Sequence, residues 1–499
     1  MTTATYVLEI DWTGAGDYSG ANDDVTSDLF FVECKRGRDY ASQLTGKAVA
    51  GRLIAKLDNT DGKYSPLNSS SALFGNLIPG RKVRLRTTLP TATNLWTGFL
   101  SLITPGASYD EYPVVYVEAV GGLEKLNGKQ ITPIAQASQT TGIIVGAILD
   151  ASGWPLADRS IDTGQTTIER WFADRKEALN SVKEIEETEL GFLFEDENGN
   201  LVYEDRHNRL KGDKLISQAT FADDGTGDCG YHKIEQQDPI REIFNEVIAT
   251  VSPYEAAVSN AVLWTLREDN PAIGSGETVT WWAQYPNDEV GIENGAYVET
   301  WATPVVGTDI TQTGVDNADI SVSVSKFANS MKIEITNNGT AAATITLLQA
   351  QGIAVTKKGA IRIIAEDITS QEKYGERTFR LPGIWLPDTN TARDFVNYLI
   401  GRYKDPLPVV NLGFIANTSS DHMTQALTRK ISDRITVKAT GGKTKLGIDA
   451  DFFIETISHR ITEAGLRHEV TFNLSEATGD GGYWVVGSSL LGTETKLAY

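Results

Sequence analysis

Hydrophobic and polar residues alternate along short segments of the first quarter of the chain. Leu53, Ala55 and Leu57 occupy every second position of one segment, and Val83 and Leu85 repeat the pattern in a second segment that has a cationic outer side. A period of two is typical of a β-strand with one buried face. Stretches rich in Gly, Pro, Asn and Ser separate these segments from four others of similar kind. Residues 1–120 are therefore predicted to form a β-barrel or β-sandwich.

After residue 120, the spacing of hydrophobic residues becomes that of an α-helix with one apolar side. An apolar helix is predicted over Gly142–Ala151, and a second helix over Arg175–Thr188. Asp174 is expected to cap the second helix, with Glu177 three residues on completing a capping box. This stretch is predicted to be a small α/β unit.

A hairpin is predicted directly after the second helix. The strands Phe192–Glu195 and Leu201–Glu204 flank the dipeptide Asn198-Gly199. Asn-Gly between two strand-like runs is the strongest short-range hairpin signal, because both residues tolerate the positive φ of a tight turn.

The second half of the chain returns to strand patterns, which a segment of different composition interrupts. Ile243–Val251 is the clearest strand before the interruption, and a helix capped by Asp388 or Thr389 follows it. Between them, the segment 256–357 is rich in Thr, Val and Trp and poor in Lys and Arg. Its clean alternation over Met331–Thr336 predicts an inserted β-sandwich.

Four segments carry a resemblance to a known family. The strand, loop and strand of Gly37–Arg86, with the spellings LDNTDGKYSPLN and GNLIPGRKVRLR, resemble the first β-barrel of minor tail proteins of long-tailed phages, in the tail-tip or baseplate hub group. The hairpin GFLFEDENGNLVYEDR after a helix resembles the α/β module between the two barrels of these proteins. Phe327–Val355 resembles their inserted domain, and Tyr374–Pro406 resembles part of their C-terminal half.

The resemblance implies a mainly β fold with a small α/β insertion: two hub-type β-barrels, one α/β module and one inserted β-sandwich. The expected domains are 1–120 for the first barrel, 121–215 for the α/β module, 216–255 with 358–475 for the second barrel, 256–357 for the sandwich, and 476–499 for a C-terminal extension.

The resemblance also implies a structural function. Hub proteins form homotrimeric rings that adapt the tail tube to the tip and surround a channel for tape measure protein and DNA. The expected partners are further copies of this chain, a distal tail or tail tube protein, the tape measure protein, and a tip fibre or spike protein, with DNA only in passage. The expected location is the tail tip of the virion, after synthesis in the cytoplasm of the bacterial host.

The charge distribution suggests where subunits could meet. The net charge of −21 argues against a protein that grips nucleic acid by its phosphates. Residues 31–86 carry eleven Lys/Arg against four Asp/Glu, whereas residues 184–205 carry nine Asp/Glu and no Lys/Arg. These two segments are either complementary patches at a subunit interface or two solvated faces. The interface candidates are Arg81, Lys82, Arg84, Arg86, Glu184, Glu186, Glu187, Glu195, Asp196 and Glu197.

No sequence motif indicates catalysis. The sequence contains several pairs of acidic residues, but the two members of each pair are adjacent in a Gly-rich loop. A glycosidase instead needs two carboxylates that face each other across a cleft. The two cysteines and five histidines have no metal-ligand spacing, and no phosphate-binding or hydrolase motif is present in a suitable context. The chain is therefore expected to be no enzyme and to hold no metal or cofactor.

An alternative function rests on the tryptophans of the inserted segment. Trp281, Trp282 and Trp301 could form a stacking platform for a host-surface glycan, or they could lie in the core of the sandwich. The first arrangement would make the chain a glycan-binding tail protein, and a peptidoglycan hydrolase is the third alternative. A hub should be central and trimeric, whereas a receptor-binding protein should be peripheral and bind cells by itself.

Overall fold

The protein is mainly β, as expected from the sequence. It is represented by a computed structural model that describes residues 4–106, 112–237, 240–285, 295–381, 385–441, 444–462, 465–477, 483–484 and 496–497. Most of the expected C-terminal extension lies outside the described residues.

Six strands lie within the range expected for the first barrel. They are β1 (Thr5–Ile10), β2 (Leu29–Gly37), β3 (Arg52–Asp58), β4 (Lys82–Leu89), β5 (Thr93–Gly106) and β6 (Val114–Val120). Their order in the sheet is β1-β4-β5-β6-β3-β2. The alternating residues noted in the sequence point inward, because Leu53, Ala55, Leu57, Val83 and Leu85 are all fully buried.

The α/β module follows and packs two helices against short strands. Its elements are β7 (Gln130–Ile131), β8 (Gln136–Thr140), α1 (Thr141–Ser152), β9 (Arg159–Ile161), β10 (Thr167–Trp171), β11 (Lys176–Glu177), α2 (Ala178–Glu189), β12 (Phe192–Glu195) and β13 (Leu201–Glu204). The hairpin has the predicted strands, with Phe192 opposite Glu204 and Glu195 opposite Leu201. Its loop is one residue longer than a two-residue Asn-Gly turn, because Asp196 N donates to Asn200 O at 3.0 Å, and Gly199 alone among the loop residues has a positive φ, of 80°.

The predicted start of the second helix is wrong. Lys176 and Glu177 pair with β7 as a short strand, so α2 begins at Ala178 and has no side-chain cap. Arg175 has a φ of 47°, in the left-handed region, which breaks the helix that Asp174 was expected to cap.

The next part of the chain begins the second barrel and then enters the insertion. Its strands are β14 (Thr220–Ala222), β15 (Lys233–Gln237), β16 (Glu246–Val251), β17 (Tyr254–Ala256), β18 (Ala261–Thr265), β19 (Ala272–Ile273), β20 (Thr278–Gln284), β21 (Gly295–Trp301), β22 (Ile310–Thr313), β23 (Ile320–Lys326), β24 (Ser330–Asn337) and β25 (Ala343–Lys357). The insertion has two sheets, one built on β25 and the other ordered β20-β24-β23, and they enclose one apolar core.

The last part of the chain completes the fold. Its elements are β26 (Ile361–Glu366), α3 (Ile368–Tyr374), β27 (Thr378–Leu381), α4 (Thr389–Tyr403), β28 (Val409–Ile415), α5 (Ser420–Thr428), β29 (Arg434–Ala439), β30 (Ile448–Thr462), β31 (Arg467–Glu476), β32 (Tyr483–Trp484) and β33 (Lys496–Leu497). Asp388 caps α4, as predicted, and accepts hydrogen bonds from the backbone N–H groups of Asn390 and Thr391.

The assignment of the second barrel needs a correction. The strand predicted over Ile243–Val251 does not join a barrel, because β16 lies between β26 and β27 in a separate three-stranded sheet. The apolar side of α4, which includes Phe395 and Leu399, packs on this sheet. The strands of the second six-stranded unit come instead from β14, β15, β28, β29, β30 and β31.

The two six-stranded units have the same strand order. When the strands of each unit are numbered along the chain, both sheets are ordered 2-3-6-5-4-1. The units differ in one pairing, since β1 is antiparallel to β4 whereas β14 is parallel to β29. The chain therefore contains the same β topology twice, on either side of the α/β module.

Backbone hydrogen bonds close each unit in the same way. In the first unit, the segment before β2 bonds to β1, from Ile10 N to Asp23 O at 2.8 Å and from Val25 N to Leu8 O at 3.0 Å. In the second unit, Cys229 lies before β15 and bonds to both ends of β14 at 3.0 and 3.2 Å. Each unit is therefore a closed barrel rather than an open sheet.

One long strand joins the two barrels into a single sheet. The first half of β30 pairs with β29, and its second half, Thr456–Ile461, pairs with β2 over Gly37–Val32. β31 lies along the other side of β30. We call the β2–β30 pairing the seam. The apolar interiors on both sides of the seam form one continuous core.

Candidate functional site

The basic and acidic segments meet within one chain. Arg36 pairs with Glu197 at 3.5 Å, and Lys47 pairs with Glu187 at 2.6 Å. Arg38 lies between Glu186, at 3.3 Å, and a carboxylate of the second barrel. The basic and acidic segments are therefore complementary in charge, but their ion pairs connect the first barrel to the α/β module of the same chain.

A buried charge cluster lies where both barrels and the module meet. Glu455, on β30, accepts two hydrogen bonds from Arg209 at 2.5 and 3.1 Å and lies 3.6 Å from Arg38. The guanidinium of Arg209 lies 3.6 Å from the ring centre of Phe192. Although burial opposes ionisation, the two arginines hold the pKa of Glu455 below its usual value. Removing one partner from such a cluster would leave a buried charge uncompensated.

Glu195 is a buried carboxyl with a structural role. It accepts backbone hydrogen bonds from Gly51 at 2.8 Å and from Leu123 at 2.5 Å, and so ties the hairpin to the end of the first barrel. Burial raises its pKa to about 7, although these hydrogen bonds act in the opposite direction.

The acidic interface candidates divide into buried and partly exposed residues. Glu186, Glu195 and Glu197 are buried, so the expectation that they belong to an exposed acidic patch is wrong. Glu184 and Glu187 are half-buried and pair with lysines of the same chain. Asp196 is also half-buried, and its carboxylate accepts hydrogen bonds from the turn of the hairpin.

The basic interface candidates lie along β4 and the loop before it. Arg84 and Arg86 both pair with Glu9 at 2.8 Å, and each remains about a quarter exposed. Arg81 bonds to Asn76 at 3.2 Å. Lys82 is exposed. We call Arg81, Lys82, Arg84 and Arg86 the basic cluster.

A single outward face extends across both barrels, which the sequence did not predict. Cross-strand neighbours on this face run from Ile54 to Glu33, then over the seam to Arg460 and on to Glu469. Glu33 and Arg460 lie 3.9 Å apart across the seam, and both side chains are more than half exposed. We call this row and its outward neighbours the shared face. Strand alternation gives the outward positions, but only the seam, which links residues over 400 positions apart, joins them into one surface.

The three tryptophans do not form a platform together. Trp281 and Trp301 are buried in the core of the sandwich, where the indole N–H of Trp301 donates to the carbonyl of Phe327 at 2.8 Å. Trp282 points the other way, because successive residues of β20 face opposite sides, and it is 49% exposed.

Within the part of the chain that the structure describes, no group of three or more His, Cys, Asp or Glu side chains could hold a metal ion. None of the described helices has the length and apolar character needed to cross a membrane.

Comparisons with known proteins identify the fold. The sequence matches no protein-family model and no curated protein. The structure is similar to the prophage MuSo2 43 kDa tail protein from Shewanella oneidensis, with a TM-score of 0.50 and 13% identity over 95% of this chain and 98% of that one. It is also similar to a tail protein from Neisseria meningitidis MC58, with a TM-score of 0.50 and 7% identity over 95% and 97% of the two chains.

The chain has the fold of a phage tail protein. This finding confirms the fold that the resemblance implies. The matches extend over almost the whole length of both chains.

Proposed function

We propose that the chain is a structural hub subunit of a phage or phage-like tail tip, and that three copies form a ring. One observation carries the proposal: the chain contains two closed barrels of identical strand order, joined at the seam. Three such chains place six alike barrels around one axis. A ring of this kind can contact a six-fold tail tube on one side and a three-fold tip on the other.

The shared face is the surface we assign to the central channel. It is continuous over both barrels of a chain, so three copies could line a channel without a break inside any subunit. It carries charges of both signs, as in the neighbouring pairs Glu33–Arg460 and Arg467–Glu469. Because the carboxylates of Glu33 and Glu469 oppose tight binding of DNA phosphates, such a face suits DNA that passes through.

Contacts between neighbouring subunits are assigned to the basic cluster. A closed three-fold ring needs a head-to-tail contact, in which two different surfaces of each chain meet. The basic cluster lies on the first barrel, and we propose that it meets an acidic surface of the adjacent subunit. The other proposed partners are a distal tail or tail tube protein, the tape measure protein, and a tip fibre or spike protein. The work of this chain is assembly, with no catalytic step.

Electron cryo-microscopy of tail particles that contain this chain tests the proposal. The expected map shows three copies around the axis of the tip, with the shared face towards the channel. A chain found as single copies at the periphery, able to bind host cells by itself, would contradict the hub function and favour the glycan-binding alternative.

A further inference from the structure

A cleft of about 410 Å³ lies between the α/β module and the inserted sandwich. Thr132, Asp174 and Arg175 line it from the module, and the sheet of β20 and β24 lines it from the sandwich. Its volume is in the range of about 300–1,000 Å³ that is typical of small-molecule sites. The cleft is separate from the seam, the shared face and the basic cluster.

The floor of the cleft is aromatic. Trp282 is half-exposed and lies nearly parallel to Phe327, with ring centres 5.9 Å apart and an angle of 24° between the planes. The exposed face of the indole can pack against the C–H groups of a flat ligand.

Two polar atoms that line the cleft are buried without a hydrogen-bond partner. They are the hydroxyl oxygen of Tyr285 and the side-chain oxygen Oδ1 of Asn329. The side chain of Tyr285 is only 3% exposed, and burial raises the pKa of its phenol, so the hydroxyl stays protonated and able to donate. Buried polar groups are nearly always hydrogen-bonded, so these two atoms are available to bond with a polar group that enters the cleft.

We propose that this cleft binds a neutral saccharide. A sugar ring has an apolar C–H side, which Trp282 and Phe327 can cover, and a rim of hydroxyl groups, which Tyr285 and Asn329 can bind. Gln284 supplies a further amide at the same edge. This proposal stands apart from the hub function, since the cleft contains no residue of the seam, the shared face or the basic cluster.

The charges of the cleft favour a neutral ligand over an anionic one. The cleft contains one acidic and one basic side chain, Asp174 and Arg175, so it offers no excess of positive charge for a phosphate or a nucleic acid. A stretched peptide would need a sheet edge or a longer groove. β20, which carries Trp282, pairs with β24 and lies at the edge of its three-stranded sheet, so binding of a peptide along this edge is the outcome that a non-sugar probe must test.

Saturation-transfer NMR on the full chain tests the site. The probes are glucose, galactose, mannose, rhamnose, N-acetylglucosamine, N-acetylgalactosamine and their short oligomers, each at millimolar concentration, with a tripeptide as a non-sugar probe. We expect at least one saccharide to bind, and Trp282→Ala to weaken its affinity tenfold or more. Tyr285→Phe, which removes only the hydroxyl, should weaken it about threefold to tenfold. Phe74→Ala, which removes an exposed ring on the first barrel, should leave it unchanged.

Each other outcome would overturn the proposal. These outcomes are an absence of saccharide binding over the whole panel, equal binding by the wild-type chain and both cleft variants, and stronger transfer to the tripeptide than to any sugar. If Trp282→Ala lowers the melting temperature, Tyr285→Phe decides the question, because it keeps the ring that fills the core. The subunit count of the ring, measured separately by light scattering, should be the same for all variants.

Discussion

Two buried histidines meet next to the seam. His459 Nδ1 and His468 Nε2 lie 3.0 Å apart, and the hydroxyl of Tyr6 lies 2.9 Å from His468 Nδ1. Burial lowers the pKa of His468 to about 3, and burial with the neighbouring charges of His468 and Arg36 lowers the pKa of His459 well below 6.5. Both imidazoles are therefore neutral in the folded chain.

These histidines should make folding sensitive to acid. In the unfolded chain an imidazole takes up its proton near pH 6.5, whereas His468 in the folded chain resists protonation down to about pH 3. The contribution of neutral His468 to the free energy of unfolding is therefore full above pH 6.5, and it decreases as the pH falls below that value. At pH 5 the loss is about 2 kcal/mol for His468 alone, since one pKa unit corresponds to about 1.36 kcal/mol.

The measurement is urea unfolding at pH 7.5 and pH 5 for the wild-type chain and His468→Gln. The comparison of two chains is needed because Glu195, whose pKa is raised, has the opposite effect and stabilises the fold more as the pH falls. The variant should be less stable at pH 7.5, because it loses a buried hydrogen bond, but should lose about 2 kcal/mol less than the wild type on acidification. Equal losses in both chains would show that His468 does not titrate in this way.

Local pattern predicts the side of a strand on which a residue lies, but not its partners. Alternation alone separates Trp281 from Trp282, so one indole had to face away from the core. In contrast, nothing near Glu186 in the sequence indicates that Arg38, almost 150 positions away, would bury it. The burial of a charged residue depends on such distant partners. For this reason the sequence pattern assigned buried carboxylates such as Glu186 to an exposed acidic patch.

At the scale of elements, α2 and α4 form a matched pair for testing helix caps. Asp388 caps α4 through two backbone N–H groups at 2.6 and 2.9 Å, and removing a cap of this kind typically costs about 1 kcal/mol. Asp174 looked equally suitable in the sequence but lies outside α2. We expect Asp388→Ala to lower the free energy of unfolding by about 1 kcal/mol and Asp174→Ala by less than about 0.5 kcal/mol. Equal losses in denaturant titrations would show that the capping box forms at α2 after all.

The inserted sandwich should be removable because its two ends meet. Tyr254 pairs with Lys357, and Lys358 N donates to Pro253 O at 2.8 Å. Joining residues 255 and 356 through Asn-Gly should therefore leave a folded protein that melts cooperatively. Its stability should fall by about 1 kcal/mol or more, because Phe172 loses the ring of Tyr297 stacked on it at 4.4 Å.

Circular dichroism melting and gel filtration test the deletion. A second deletion variant should also carry Phe172→Ser, which removes the ring that the deletion exposes. This variant separates aggregation caused by the exposed ring from a failure of the remaining chain to fold. Aggregation of both deletion variants would mean that the barrels depend on the sandwich for folding.

Elements were predicted well where local chemistry determines them. The hairpin has the predicted strands, because the turn-forming residues between them end both strands within a short loop. The register differs from that of a two-residue Asn-Gly turn, since the loop has three residues and only Gly199 takes a positive φ. Long-range pairing could not be predicted in the same way. β16 has a good strand pattern, but the pattern is the same whether it pairs with barrel strands or with β26 and β27. The seam likewise depends on residues over 400 positions apart.

At the scale of the whole molecule, the two barrels share one way of covering their cores. In each barrel the connection between its third and fourth strands covers the core: a long loop containing Tyr64 and Leu73 in the first, and α5 with Met423 in the second. The same barrel topology therefore has a loop in this connection in the first barrel and a helix in the second. The buried charges at the junction, Arg38 and Glu455 among them, then hold the barrels and the α/β module in one arrangement.

The electrostatic part of the proposed ring assembly can be tested without disturbing the fold of the chain. Reversing Arg84 or Arg86 would place a carboxylate beside Glu9 and weaken the first barrel. Arg81 and Lys82 are better targets, because Lys82 is exposed and Arg81 bonds to a neutral amide. Partly exposed charge pairs contribute about 1 kcal/mol or less each, so the double reversal Arg81→Glu with Lys82→Glu is needed.

We expect the double reversal to weaken subunit association about threefold to thirtyfold at low salt and much less at high salt, because salt screens exposed charges. Analytical ultracentrifugation at 50 mM and 500 mM NaCl measures both effects. Lys357→Glu, an exposed reversal on the sandwich, serves as the control and should associate like the wild type. Association that is indifferent to the reversal and to salt would exclude the basic cluster as the contact, and the ring would then have to be held by another surface of the barrels.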